Sequence, residues 1–368
     1  MTRWGLIGNE RAVAALERAL REGRVAHAYL FVGPERVGKH TLALKLAQAL
    51  NCDGLVGAGA PTYGGDEDAV SARGEPASSE PSRRVEPCGE CAPCRRIAGG
   101  IHADVQTVSV EEDEEGMQKG VHVSQIREVE RATALKPFEG RCRVVIIDPA
   151  EEMNAAAQNA FLKTLEEPPP QVVFTLVTAD ESRLLPTIRS RCRRLELRLP
   201  ALSEVEAALL ARGEEAERAR LLARLSRGRI GWALEVADDA SLLERRQELL
   251  SQARALASMT VAERLELAER LAPDFKRRPE ALFAALEAWR DWWRDVLLVR
   301  AGAEDGVANV DRLAELREDA ARHRSASVAE FVRTVGEAGH NLQENAQPRL
   351  VLETLLLGAL RAAEPARR

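Results

Sequence analysis

Short apolar runs alternate with helical periodicity through roughly the first two hundred residues, and the alternation stops near Pro200. Ala12, Leu16 and Leu20 recur at helical spacing behind Asn9, a residue suited to capping that helix through its side chain. The compact run Ala28-Tyr-Leu-Phe-Val32 reads as a buried strand and leads directly into Gly33. A second helix carries Leu42, Leu46 and Leu50 on one face. Further strands are expected at 105–110, 144–147, 172–177 and 195–197, with helices around Ile126 and Val129 and through Phe161 and Leu165. Runs that are apolar on both faces, alternating with helices, imply a parallel sheet covered on both sides.

Two stretches interrupt the pattern. Residues 54–87 are rich in Gly, Pro, Ser and acidic side chains and read as a flexible insertion, and 111–115 is an acidic run expected in a solvated loop. Beyond Pro200 only helical periodicity remains, in a small unit over 201–236 and a larger one from 241. Within the larger unit Trp289, Trp292, Trp293, Val296 and Leu297 repeat at helical spacing, the stripe of a packed core.

Composition narrows the function classes. The 368 residues leave room for two or three domains. A hydrophobic share of 45% beside 30% charged residues suits a chain that buries a core. No apolar run is long enough for a membrane span, and the charged N-terminal stretch does not read as a secretory signal, so a cytoplasmic location is expected. A net charge of −6 with 4% aromatic residues argues against a surface devoted to gripping nucleic acid or stacking bases. In a reducing compartment the 6 cysteines are expected as thiols, and clustered ones point to a metal.

Gly33-Pro-Glu-Arg-Val-Gly38-Lys39 lies between an expected strand and an expected helix, the context in which this glycine-rich pattern cradles phosphates. A hydrolysing site places Ser or Thr after the lysine, where its hydroxyl ligates Mg²⁺. Here that position is His40, a poor partner for a hard cation, and Thr41 comes one residue late, about 100° further round the helix. Asp148 ends the 144–147 strand, either as the acidic residue that faces the phosphates or as a cap of the next turn. Pro149 follows it, where a water-orienting glutamate is needed. Lys39 and the glycines favour ATP or ADP binding; His40 weakens it.

Cys88-x-x-Cys91-x-x-Cys94 is a tight thiolate cluster, with Cys52 before it across the insertion. Four thiolates suit a structural Zn²⁺ with no open coordination position. Cys52 is the expected fourth ligand, with His102 and Cys142 as alternatives.

Taken together, these residues resemble the bacterial clamp-loader AAA+ ATPases of DNA polymerase III. The phosphate loop, the cysteine cluster, Phe161-Leu-Lys-Thr-Leu-Glu-Glu-Pro168 and Thr187-Ile-Arg-Ser190-Arg191-Cys192 fall in that family's order. The resemblance implies an α/β plus all-α protein. It would have an AAA+ P-loop module with a parallel sheet over 1–199, carrying a zinc-binding insertion at 52–94. A helical lid over 200–238 and a C-terminal helical collar over 241–368 would follow. It implies that Thr178 occupies the sensor position of the site and that Gly231 stands where an active member carries a sensor arginine. It also implies that Arg191, although part of a basic edge with Arg189, Arg193 and Arg194, serves as an arginine finger in a neighbouring subunit's site. With His40, Pro149 and Gly231, the pattern is similar to the non-hydrolysing δ′ type; an ATP-hydrolysing γ/τ type is the alternative. The implied partners are γ/τ and δ subunits in a ring, the sliding clamp, and primed DNA through the complex. A zinc-dependent nucleic-acid binder outside any ring is the competing class.

Overall fold

The computed structural model describes residues 3–55, 85–110, 120–344, 346–358 and 360. Most of the 54–87 insertion, the acidic run at 111–115 and Asn345 lie outside the described residues. The chain divides into two compact units: one holds most of the chain up to Ala208 together with Gly228–Gly231, the other Leu209–Arg227 and the chain from Trp232.

The first unit is built on five parallel strands in the order β2-β3-β4-β1-β5. They are β1 (Ala28–Val32), β2 (Val105–Val108), β3 (Arg143–Ile147), β4 (Val172–Thr178) and β5 (Arg193–Glu196). Every residue of β1 and β4 is buried, because side chains leave a central strand on both faces into covered layers. Tyr29, Phe31, Val144, Ile146 and Val173 enter one core with α1 (Glu10–Arg21) and α2 (Lys39–Asn51). Leu30, Val145, Ile147, Phe174 and Leu176 enter the other with α4 (Val123–Thr133) and α5 (Ala155–Glu166), where Phe161 meets Phe174 edge-on at 5.2 Å. The expected double cover holds for the centre of the sheet. The edge strands differ: β2 and β5 leave most of their positions partly or fully open. That is why β5 starts two residues before the expected apolar stretch, with Arg193 and Arg194 on a wet edge.

Asn9 does not cap α1 through its side chain. Its φ is +60°, a conformation asparagine tolerates, and its amide is used elsewhere. Oδ1 accepts the Arg198 N–H at 2.7 Å and Nδ2 donates to the Arg198 carbonyl at 3.0 Å, satisfying the backbone just past β5. A tertiary partner has replaced the local one.

The second unit is helical. Its axis is α13 (Pro279–Arg300), packed against α10 (Ser241–Ala255), α14 (Leu313–Arg322) and α15 (Ser325–Gln343), while α11 (Val261–Leu271) packs on α16 (Pro348–Leu357). Trp289, Trp292, Trp293 and Val296 are fully buried in this core. Trp292 Nε1 donates to Asp319 at 3.1 Å and Trp293 Nε1 to the Ala253 carbonyl at 3.1 Å, so two indoles bury area without losing a hydrogen bond. Arg264, buried on α11, donates to the carbonyls of Leu256, Leu356 and Leu360 at 3.0, 3.2 and 2.8 Å. Its charge sits at the C-terminal ends of α10 and α16, where unpaired carbonyls gather. Among the described residues no helix is long and apolar enough to cross a membrane.

Candidate functional site

The phosphate loop leaves the C-terminal end of β1, the edge of a parallel sheet where ligands are bound. Gly33 N–H donates to the Thr178 carbonyl at 3.2 Å, tying the loop to the end of β4. Gly38, at φ +100°, makes the turn that starts α2 at Lys39, a conformation only glycine adopts without strain. Lys39 is buried and its Nζ donates to the Gly33 and Pro34 carbonyls at 2.6 and 2.7 Å. Burial draws its pKa down, while Glu151, Asp148 and Glu35 pull it the other way.

His40 and Asp148 meet. His40 Nδ1 lies 2.7 Å from Asp148 Oδ2, in a half-exposed pair joining the first turn of α2 to the end of β3. Asp148 therefore meets the first turn of α2, at the side chain that stands where the sequence pattern expects a metal-ligating hydroxyl. Mg²⁺ needs oxygen ligands in near-octahedral array. With an imidazole in the hydroxyl position and the strand-end carboxylate engaged by it, these residues do not fit that ion. Thr41 is exposed and offers no substitute. Glu151, two residues past Pro149, accepts the Ala179 N–H through Oε1 at 2.8 Å, and its other oxygen is buried without a hydrogen-bond partner among the described residues. Thr178 is fully buried, and its hydroxyl accepts the Asp180 N–H at 3.1 Å.

Gly231 closes the loop's outer side. Its N–H donates to the Arg36 carbonyl at 2.8 Å, and a Cβ there would lie 3.0 Å from that oxygen and 3.2 Å from the Arg36 Cβ. A side chain at this position requires the Arg36 backbone to give by a few tenths of an ångström.

Arg191 ends α6 (Pro186–Arg191). Its guanidinium donates to the Thr187 carbonyl at 3.1 Å and to Glu166 at 2.7 Å, with 35% of the side chain exposed. Arg194 is held in a different way, by Glu181 and Glu196. Cys192, buried beside Arg191, has its thiol pushed up to about 12 by burial and behaves as a core residue.

Cys52, Cys88, Cys91 and Cys94 converge, with all four sulfurs within 4.8 Å of one another. The separations of 3.5 Å for Cys52–Cys88, 3.9 Å for Cys52–Cys91 and 4.0 Å for Cys88–Cys94 exclude a disulfide. They approach the edge of about 3.8 Å that a tetrahedron with Zn–S bonds of about 2.3 Å requires. The thiolate form is favoured at Cys88, where N–H groups of Cys91 and Glu90 bring the pKa down to about 6. Burial raises Cys52 and Cys94, which is the condition a bound cation would reverse. His102 and Cys142 stand apart from the cluster: His102 lies by Glu139, and the Cys142 thiol faces the Arg143 carbonyl.

Three residues that sequence patterning did not single out anchor this module. Asn51 accepts the N–H groups of Arg141 and Cys142 at 2.9 and 3.1 Å, and Arg141 donates to the Cys52 carbonyl at 2.7 Å. Asp104 accepts the N–H groups of Phe138, Glu139 and Gly140 and the Arg143 guanidinium. Burial raises its pKa, but these donors outweigh that effect and hold it at about 2. All three are single polar residues whose partners lie far along the chain, so no local pattern marks them.

The chain is 29% identical to the DNA polymerase III subunit gamma/tau of Mycobacterium tuberculosis, in an alignment covering 98% of this chain and 62% of that protein. It therefore covers less than two thirds of that relative's length. It is 27% identical to the DNA polymerase III subunit delta′ of Bacillus subtilis over 94% of both chains. To the delta′ subunit of Pseudomonas aeruginosa it is 37% identical over 48% of this chain and 44% of the other. The family described as DNA polymerase III, delta subunit, matches residues 8–61 and 66–201, just over half of the chain, and the protein belongs to that family.

Proposed function

We propose that this chain acts as the δ′ subunit of a bacterial clamp loader, an AAA+ subunit that does not hydrolyse ATP and assembles with γ/τ and δ. The observation that carries this reading is the His40–Asp148 contact, in which two positions that handle the metal and water of an active site are engaged with each other. Pro149 beside Asp148 offers no base, and Gly231, packed close on Arg36, carries no sensor arginine. Arg191, by contrast, is exposed at a helix end. A guanidinium presented in this way is suited to stabilise charge on a phosphoryl group in a neighbouring subunit.

In this reading 1–199 is the nucleotide-binding-like domain, 200–238 the lid and 241–368 the collar that joins the ring. Cys52, Cys88, Cys91 and Cys94 would hold a structural Zn²⁺, which would tie the start of the insertion to its end. Nucleotide binding by partner subunits is then coupled to opening the sliding clamp and loading it on primed DNA.

Reconstitution with γ/τ, δ, clamp and primed DNA tests the assignment. Co-assembly and clamp loading that depend on this chain, without ATP turnover by the chain alone, are the expected result. Steady hydrolysis by the isolated chain, abolished by Lys39→Ala, would instead establish the γ/τ type.

A further inference from the structure

The helical unit holds a cavity of about 440 Å³, between the C-terminal end of α10 and α14. Sites for small molecules commonly measure about 300–1,000 Å³. We propose that this cavity binds a small hydroxylated monocarboxylate, with the carboxylate on Arg322 and His323 and the hydroxyl groups on Ser251 and Ser258.

The acidic groups of the wall are already engaged. Glu315 accepts Arg312 at 2.7 and 2.8 Å and Arg254 at 2.9 Å, so both of its oxygens are in use. Asp319 accepts Trp292 Nε1 at 3.1 Å through one oxygen and Arg254 Nε at 3.3 Å through the other. Arg312 also lies over the Trp292 ring at 5.5 Å, which holds its guanidinium against the wall. Two groups are left over. Arg322, the last residue of α14, is exposed and has no carboxylate partner among the described residues. His323 follows it in the wall, 4% exposed, and its Nδ1 has no hydrogen-bond partner among the described residues. Burial lowers the His323 pKa, with Asp319 acting against that effect and Arg322 with it. The ring is therefore neutral and keeps one N–H to donate.

The unmet groups are donors, which calls for an anion. A planar carboxylate matches the fork of one guanidinium. A phosphate dianion would bring a second charge toward Glu315 and Asp319, with Arg322 the cation left to offset it among the described residues. The serines set the body of the ligand. Ser251 Oγ donates to the Gln247 carbonyl at 2.8 Å and accepts Arg312 at 2.9 Å, and Ser258 Oγ donates to the Ala255 carbonyl at 2.9 Å. Both therefore offer lone pairs and no proton, and a body that carries hydroxyl groups donates to them.

The test uses the full chain, isotope-labelled in histidine, with D-gluconate as the probe. The readout is the magnetic resonance of the His323 ring, assigned by its loss in His323→Gln. D-Gluconate is expected to move that signal along a saturable curve and to leave those of His27 and His340 in place. Hexanoate, a carboxylate without hydroxyl groups, and inorganic phosphate are each expected to bind about tenfold or more weakly. Arg322→Gln, at an exposed position, weakens gluconate about tenfold or more. Should His323→Gln fail to fold, tryptophan fluorescence reads the same titration, because the Trp293 ring lies edge-on to His323 at 5.1 Å. The proposal is overturned by a response to gluconate that does not saturate, or by hexanoate or phosphate binding as tightly. An unchanged affinity in Arg322→Gln overturns it as well.

Discussion

Arg191 and Glu166 form an ion pair of 2.7 Å between the last residue of α6 and the last residue of α5, and both side chains remain open to solvent. An exposed pair of this kind contributes at most about 1 kcal/mol to stability. Its effect is geometric: it fixes a flexible guanidinium at one place on the surface without removing it from reach. Arg191→Ala is therefore expected to leave the melting temperature within a few degrees. In the reconstituted complex it should slow clamp-stimulated ATP hydrolysis at the neighbouring site by on the order of 10³. Unchanged hydrolysis with normal assembly would show that Arg191 belongs only to the basic edge.

The cysteine cluster predicts one metal ion per chain. Elemental analysis after purification without chelators should find close to one equivalent of zinc. Replacing Cys88 and Cys91 together by serine should abolish it and lower the stability of the first unit by several kcal/mol. An intact chain with full stability and no metal would mean that the thiols pack as ordinary core residues.

Asp104 predicts a specific acid sensitivity. Its carboxyl is held at about 2, below the ordinary value of 3.8, so the folded state favours the ionised form. The stabilisation is complete above the ordinary value and is lost as pH falls from there through about 2, an effect on the order of 2 kcal/mol. Asp104→Asn should destabilise at neutral pH and flatten the stability profile between pH 4 and 2. Denaturant melts across that range provide the measurement; parallel profiles for the two proteins would contradict the assignment.

Arg264 makes the opposite kind of prediction, one without pH dependence in the neutral range. Its three carbonyl acceptors lie at the ends of α10 and α16, so Arg264→Met keeps much of the volume but leaves those acceptors unmet. A loss of about 3–5 kcal/mol is expected in chemical denaturation of the helical unit. A loss under about 1 kcal/mol would mean that water replaces the guanidinium there.

The strands that are buried on both faces were legible from their apolar runs, and β1 begins and ends at the expected residues. The edge strand β5 was only partly legible, since a wet face carries no continuous apolar signal. Cys88, Cys91 and Cys94 were legible because ligand spacing is local, whereas the Asn51–Arg141 anchorage joins residues 90 apart. The same contrast holds at the phosphate loop. That His40 is a poor ligand for Mg²⁺ follows from its chemistry alone. That it engages Asp148, 108 residues away, depends on which strands lie side by side, and the order β3-β4-β1 is a tertiary fact. Asn9 shows the reverse: a local cap was the simplest reading, and a partner 189 residues distant took the side chain instead.

The contact between Gly231 and Arg36 ties the shape of the loop to the size of one residue. Exchanging His40 and Pro149 for a hydroxyl and a carboxylate alters side chains that stand partly in solvent. Placing an arginine at 231 is a different order of change, because its first carbon would already press on the loop's own backbone oxygen at 3.0 Å. A residue with a Cβ at 231 thus asks the Arg36 backbone to yield by a few tenths of an ångström.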